Sequence, residues 1–179
     1  MKNTIRFIGF DVHAATIAVA AADEGGEVLE LGTISNTFDC ISRLIKKLGN
    51  ADRLRCCYEA GPCGYVLYWQ LAKLGVQCEV IAPTLIPMKA GDRVKTDRRD
   101  AIKLARLYRA GELTSVWIPD LEHEALRDLI RAREAAKKDQ LRARNRLTKF
   151  LLRSGIRKPD AVKSWTQAHW VWLAEIVCC

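Results

Sequence analysis

Short apolar runs rich in β-branched residues alternate with helical patterns along residues 5–110. Runs of this length, bounded by glycine, proline or polar clusters, predict β-strands. The predicted strands cover residues 5–12, 16–22, 28–34, 53–60 and 76–82. Because a tight Asp-Glu-Gly-Gly turn at residues 23–26 follows the second run, the first three strands are expected to form an antiparallel meander.

Between the later strands, and after the last of them, apolar residues recur at the spacing of an amphipathic helix. The predicted helices cover residues 38–48, 65–74 and about 97–110, and each is followed by a glycine that ends it. Strands that alternate with helices imply parallel neighbours. The expected fold class is therefore α/β, with a mixed sheet flanked by helices.

The character of the chain changes after Pro119. Residues 121–154 contain no proline or glycine, which predicts one long helix or two joined helices. Residues 127–158 hold twelve Lys and Arg against three acids, so this segment carries the positive charge of a chain whose net charge is +8. Its apolar seam is interrupted by Arg133 and Gln140, where a pure coiled coil would stay apolar.

A basic, coiled-coil-like segment of this kind favours nucleic-acid contact, protein association or both, and the alternative is a solvated helical face. The remaining composition is that of a globular protein, with 49% hydrophobic residues. Seven cysteines without CxxC spacing argue against a zinc site or a disulfide framework. No signal region or membrane-length apolar run occurs, so a cytoplasmic protein without membrane contact is expected.

Four acidic residues lie at positions where their carboxylates could form one site. Asp11 is at the end of the first predicted strand and Glu59 at the end of the fourth, while Asp97 and Asp100 share one face of a predicted helix start. If the two strands are parallel neighbours, all four carboxylates can meet at one sheet edge. Crowded carboxylates raise each other's pKa, and Mg²⁺ or Mn²⁺ would relieve that repulsion. Taken singly, the same acids could be a turn residue, a salt-bridge partner or a helix N-cap.

The segments "FIGFDVH", "YEAGPCGY" and "KTDRRDA" resemble the N-terminal domain of the DEDD transposases of bacterial insertion sequences, now described as bridge-RNA-guided recombinases. The resemblance is strong from Ile5 to about Ala110 and continues through the basic helix. It implies an RNase H-like fold of the RuvC type. It also implies DNA and a structured guide RNA as partners, and we expect a homo-oligomer formed through the helical segment. The implied metal ligands and catalytic residues, for two Mg²⁺ or Mn²⁺ ions, are Asp11, Glu59, Asp97 and Asp100.

The resemblance also implies a C-terminal domain with a catalytic serine that attacks DNA. The chain is expected to stop before that domain and to lack the nucleophile and full activity on its own; neither Ser154 nor Ser164 is assigned this role. The expected organisation is a RuvC-like metal-binding domain at residues 1–119, a basic helical segment at 120–158, and the start of a linker or of the transposase domain at 159–179.

Basic residues near the acids and along the long helix are expected to contact nucleic acid. They are Lys95, Arg98, Arg99, Arg127, Arg131, Arg133, Lys137, Lys138, Arg142, Arg144, Arg146 and Lys149. The first three could equally offset the acidic cluster. His13 could touch a metal-bound water or a phosphate, or be a polar residue at a strand end. The tryptophans of "SWTQAHWVWL" could stack on bases, although packing is favoured.

Two other functions compete with this one. An actin-like or sugar-kinase ATPase also begins with an acid on a strand before a hairpin, but it needs a glycine after the acid for phosphate contact, and "DVHAAT" has none. A non-catalytic module that binds nucleic acid or dimerises is the other alternative. All four acids are present, so the sequence gives no reason to regard the metal site as inactive.

Overall fold

A computed structural model describes residues 4–87 and 96–176 of the chain. Five strands form one sheet: β1 (Arg6–Val12), β2 (Thr16–Asp23), β3 (Val28–Ser35), β4 (Leu54–Glu59) and β5 (Gln77–Ile81). Their order across the sheet is β3-β2-β1-β4-β5. The pairs β1–β2 and β2–β3 are antiparallel, and β1–β4 and β4–β5 are parallel. The predicted meander and mixed sheet are therefore confirmed.

Helices lie between and after the strands. They are α1 (Phe38–Leu48), α2 (Val66–Lys73), α3 (Asp97–Arg109), α4 (Leu121–Arg153) and α5 (Gln167–Ala174), with short 3-10 turns at Ala51–Arg53 and Pro83–Leu85. The segment after Pro119 begins with one long helix rather than two joined ones. The predicted α/β fold is confirmed, and a five-stranded mixed sheet flanked by helices is consistent with an RNase H-like fold.

Alternate residues of the sheet supply two cores on its opposite faces, because successive side chains of a strand point to opposite sides. On one face, large apolar residues such as Ile8 and Phe10 pack in one cluster with Ile41 of α1 and Leu71 of α2. On the other face, the contact with α3 is made of small residues. Its buried members are Ala18, Ala20 and Ala22 of β2 and Ala101 and Ala105 of α3.

Gly9 of β1 lies in this small-residue contact. A Cβ atom built on Gly9 would stand 2.4 Å from the carbonyl oxygen of Ala101 and 2.5 Å from the amide nitrogen of Ala105. Such distances are far below van der Waals contact, so only glycine fits here without moving the helix. The backbone of α3 therefore rests directly on β1, and this fixes where the start of α3 lies relative to the end of β1.

The chain forms two compact units that divide between Ile118 and Pro119. The functional division at residues 119 and 158 stays a prediction. In the second unit α4 is 33 residues long and Leu151 is its sole buried residue. Near its end, α4 and α5 line a cavity of about 70 Å³ together with the intervening connection. Within the described ranges, no helix is both long enough and apolar enough to cross a membrane.

Candidate metal centre and nucleic-acid interface

Asp11 and Glu59 lie side by side at the carboxyl ends of parallel strands. The register pairs Phe10 with Tyr58, so the acids follow one step later on neighbouring strands. Phe10 and Tyr58 are buried in the core that contains α1 and α2 residues. Because side chains alternate along a strand, Asp11 and Glu59 lie on the opposite face, which is the face that α3 covers.

The start of α3 supplies the other two acids. Thr96 is the N-cap, and its side-chain oxygen accepts a hydrogen bond from the Arg99 amide at 3.4 Å. Asp97 is thus the first helical residue and not the cap, and Asp100 completes the first acidic turn. Carboxylates are favoured in this turn by the helix dipole, so the two acids also stabilise α3 where it begins.

The structure brings part of the predicted set into close contact. Asp11, His13 and Asp97 each offer one ligand atom, and these atoms all lie within 4.8 Å of one another. The Nε2 atom of His13 is 3.2 Å from an Asp11 oxygen and 3.5 Å from an Asp97 oxygen. Glu59 and Asp100 do not belong to this close group. Glu59 is exposed beside it, and Asp100 is near enough to influence Asp11 by its charge.

The environment of Asp11 disfavours a bare negative charge. Burial of the carboxyl raises the pKa of Asp11 from its ordinary value, and the charges of Asp97 and Asp100 add to this rise. His13 opposes the rise through its charge and its hydrogen bond. The net effect is still a raised pKa of Asp11. A bound cation would counter it by stabilising the ionised carboxylate. The donors are mostly carboxylate oxygens, which suit Mg²⁺ and Mn²⁺, so the residues present fit such an ion.

From the sequence, His13 is expected to touch a metal-bound water or a phosphate, or to be a polar residue at a strand end, and its place in the carboxylate group is missed. A signal for it is present. His13 follows Asp11 by two residues at a strand end, and residues two apart on an extended chain face the same side. The turn that carries His13 is held by hydrogen bonds from its amide to the Thr16 carbonyl and from Asn36 Nδ2 to its own carbonyl, both 2.8 Å.

The basic residues near the acids differ in their placement. Arg98 forms an ion pair with Glu30 on β3, so its guanidinium is directed along the sheet face. Arg99 is exposed in the first turn of α3. Lys95 lies outside the described residues. The structure pairs Arg98 with Glu30, which is not one of the four acids, and phosphate contact by this trio stays a prediction.

Along α4 the basic residues outnumber the acids, and all of them are exposed except Arg127 and Arg144, which are half-buried. From residue 127 onwards, each acid of this helix pairs with a neighbouring base, as in Asp128 with Arg131 at 3.4 Å. Such exposed pairs contribute little stability. Arg144 instead lies over the ring of Trp165 at 5.0 Å, a cation–π contact within the second unit. Trp165 also packs edge-on against His169 with a centroid distance of 4.8 Å, so packing accounts for this tryptophan.

The chain is similar in sequence to known transposases. Residues 8–155 match the family model described as the IS110-type DEDD transposase. The protein y4qE of Sinorhizobium fredii, whose name describes a candidate transposase, is 48% identical over 172 residues, which cover 94% of this chain and 44% of that protein. The transposase for insertion sequence element IS1533 of Leptospira borgpetersenii is 43% identical over 179 residues, covering 98% of this chain and 51% of its own length.

The chain thus spans about half the length of the curated relatives it matches. The region matched by the family model contains all four predicted acids, α3, all of α4 and nearly the whole sheet. A match over this much of the chain decides the family. The chain belongs to the IS110 DEDD transposase family.

Proposed function

We propose that this chain forms the metal-binding and nucleic-acid-binding part of an insertion-sequence transposase that breaks and rejoins DNA strands. One observation carries the proposal: Asp11 and Asp97, far apart in sequence, lie together at the sheet edge where β4 also ends in Glu59. Membership of the DEDD transposase family supports it, because the four acids fall within the matched region. The part of the fold that would hold the ions is the part we describe as RuvC-like.

The residues that would hold Mg²⁺ or Mn²⁺, as two ions, are Asp11, Glu59, Asp97 and Asp100. Bound there, the ions would supply Lewis-acid stabilisation to the charge that develops on phosphodiester oxygens. Asp11 contributes from a partly buried strand end, and α3 presents the next two carboxylates from a single turn. Glu59 ends the neighbouring strand with an exposed side chain, which supports its recruitment when a cation is present.

The proposed DNA and guide-RNA surface is the basic helix α4. Its exposed Lys and Arg offer many contacts to phosphates, and every such contact releases counterions into solution. Asp128, Glu134 and Asp139 are already paired with bases at neighbouring positions, so the excess of positive charge is available for a polyanion. The guide RNA as a partner rests on the family resemblance, and α4 is the surface on which we place it.

We also propose that α4 mediates association with a second copy of the chain. A helix of 33 residues is about 50 Å long at 1.5 Å per residue, and an amphipathic helix gains most of its stability from packing one face. Here Leu126, Leu129, Ile130 and Leu141 are all more than half exposed. Covering them with the equivalent helix of a second copy would supply the missing packing.

The test of the metal site is the melting temperature with and without millimolar Mg²⁺. An ion that binds only the folded site raises the melting temperature by mass action. We expect a rise for the wild-type chain and its loss in Asp11→Asn and in Asp97→Asn. Glu24→Gln, which removes one exposed carboxylate from the turn after β2, is the matched control and should keep the full rise. A wild-type chain that shows no rise with either Mg²⁺ or Mn²⁺ would disprove the proposed site.

A further inference from the structure

We infer that His13 is a ligand of the metal site and that it biases the site towards ions that accept nitrogen donors. The inference rests on the proposed metal site and adds to it a residue that is not one of the four acids. The observation that supports it is a contact of one nitrogen atom, Nε2 of His13, with carboxylates from two separate elements. These are Asp11 on β1 and Asp97 on α3.

The separations match those of ligands around a shared ion. Two ligands at adjacent octahedral positions, each about 2.1 Å from the ion, lie about 3.0 Å apart, and at tetrahedral positions about 3.4 Å apart. The measured separations from His13 Nε2 are 3.2 Å to Asp11 and 3.5 Å to Asp97. A shared ion would account for both separations, and without an ion the shorter one is a hydrogen bond between His13 and Asp11.

The protein also fixes the position from which the imidazole is presented. The His13 amide donates to the Thr16 carbonyl, and its own carbonyl accepts from Asn36 Nδ2. Asn36 is held in turn by its amide, which donates to the Ala15 carbonyl at 2.9 Å. The His13 side chain is about half exposed, at 51%, so an ion can reach it from solvent. Because its backbone is held in this way, His13 has only side-chain torsions left to order when an ion binds.

A nitrogen donor changes which ions the site prefers. Carboxylates alone suit Mg²⁺ and Mn²⁺, whereas imidazole adds affinity for Co²⁺ and later first-row ions. The change in the ratio of Co²⁺ to Mg²⁺ affinity when His13 is replaced is therefore the readout of its role. It does not depend on DNA, on RNA or on catalytic activity.

The experiment is calorimetric titration of the chain with Co²⁺ and, separately, with Mg²⁺. His13→Gln places an amide at nearly the same reach as the imidazole and removes the basic nitrogen. We expect it to weaken Co²⁺ binding by about tenfold or more and Mg²⁺ binding by less than about threefold. Asp97→Asn should weaken both ions, and Co²⁺ binding that survives Asp97→Asn is assigned to other groups such as cysteines.

The matched control is His123→Gln. His123 is also an exposed histidine beside a carboxylate, with Nδ1 2.8 Å from Asp120, but it lies at the start of α4 in the second unit. We expect it to change neither affinity. If His13→Gln leaves the ratio of Co²⁺ to Mg²⁺ affinity unchanged while Asp97→Asn weakens both, the metal site stands and the role of His13 is overturned. If the wild-type chain binds neither ion, the proposed metal site fails as well.

Discussion

Gly9 and Ala101 are in backbone contact: a Cβ atom on Gly9 would lie 2.4 Å from the Ala101 carbonyl oxygen. Asp97 lies one helical turn before Ala101 on α3, and Asp11 lies two residues after Gly9 on β1. The contact therefore holds the two elements whose acids meet at the candidate metal centre. Gly9 has no side chain that could bind an ion, so it contributes to the site only by letting α3 lie close to β1.

We expect Gly9→Ala to destabilise the fold by about 2 kcal/mol or more, because the added methyl must displace helix backbone and not a flexible side chain. The displaced α3 should also weaken Mg²⁺ binding in whatever fraction remains folded. Urea denaturation and calorimetric titration measure the two effects. Gly25→Ala is the control, since a Cβ there meets nothing within 4 Å. Equal stability of the two variants would show that the contact is not tight.

A second prediction concerns the metal-free protein. The pKa of Asp11 is raised above its ordinary value near 3.8, chiefly by burial. A carboxyl with a higher pKa in the folded state lowers stability at neutral pH, and that cost disappears below its unfolded-state pKa. With EDTA at pH 7 we expect Asp11→Asn to increase the free energy of unfolding.

The same variant should lose its advantage as the pH falls towards 4, because wild-type Asp11 then becomes protonated in the folded state. Urea midpoints measured across pH 4–8 give the comparison. Glu24→Gln provides the background effect of removing one exposed carboxylate. The raised pKa of Asp11 would be contradicted if the difference in free energy of unfolding between Asp11→Asn and wild type grew as the pH fell.

The third prediction places nucleic-acid affinity on α4. Replacing Arg146 and Lys149 together by glutamine should weaken binding to any DNA sequence, because these side chains are expected to bind phosphates. On duplex DNA, the slope of log K against log salt should fall by up to about 0.9 for each phosphate that the variant no longer neutralises. Fluorescence anisotropy across a salt series measures both quantities.

The matched pair for this test is Lys46 and Lys47, two bases in the last turn of α1. Their replacement by glutamine removes the same charge and should leave the salt slope unchanged. An equal loss of affinity in both double variants would mean that binding follows net charge and has no defined surface on α4.

The fourth prediction tests association through α4. Leu126 and Ile130 are one turn apart and are 54% and 52% exposed. If a second copy covers them, Ile130→Glu should shift sedimentation velocity profiles towards the monomer, since it would bury a charge at the contact. Ala135→Glu, on the same helix and also exposed, is the control. A wild-type chain that sediments as a monomer at every concentration would remove the basis for this proposal.

Much of the fold is accessible from the sequence because its signals are local. The strands of the meander, the stop of α1 at Gly49 and the start of α3 at Asp97 each follow from patterns within a few residues. The placement of Asp11 and Glu59 at one edge follows from strand ends and parallel pairing. These are properties of the backbone, and the backbone is what periodicity and turn residues predict.

The details of the site are not accessible in this way because they depend on side-chain torsions and tertiary neighbours. Whether Asp100 or His13 lies closest to Asp11 is decided by the orientation of α3 and by a turn hydrogen-bonded to Asn36. The pairing of Arg98 with Glu30 joins residues on separate elements. No periodic pattern encodes either relationship.

Alanines line the contact between β2 and α3, so the backbones of these two elements lie close together. Ala20 and Ala105 are both completely buried, and neither can be made smaller without opening a void. Almost every other substitution there enlarges a side chain and pushes the two backbones apart. Sequence drift at this contact can thus change the spacing between Asp11 and Asp97 mainly in one direction, towards a wider gap.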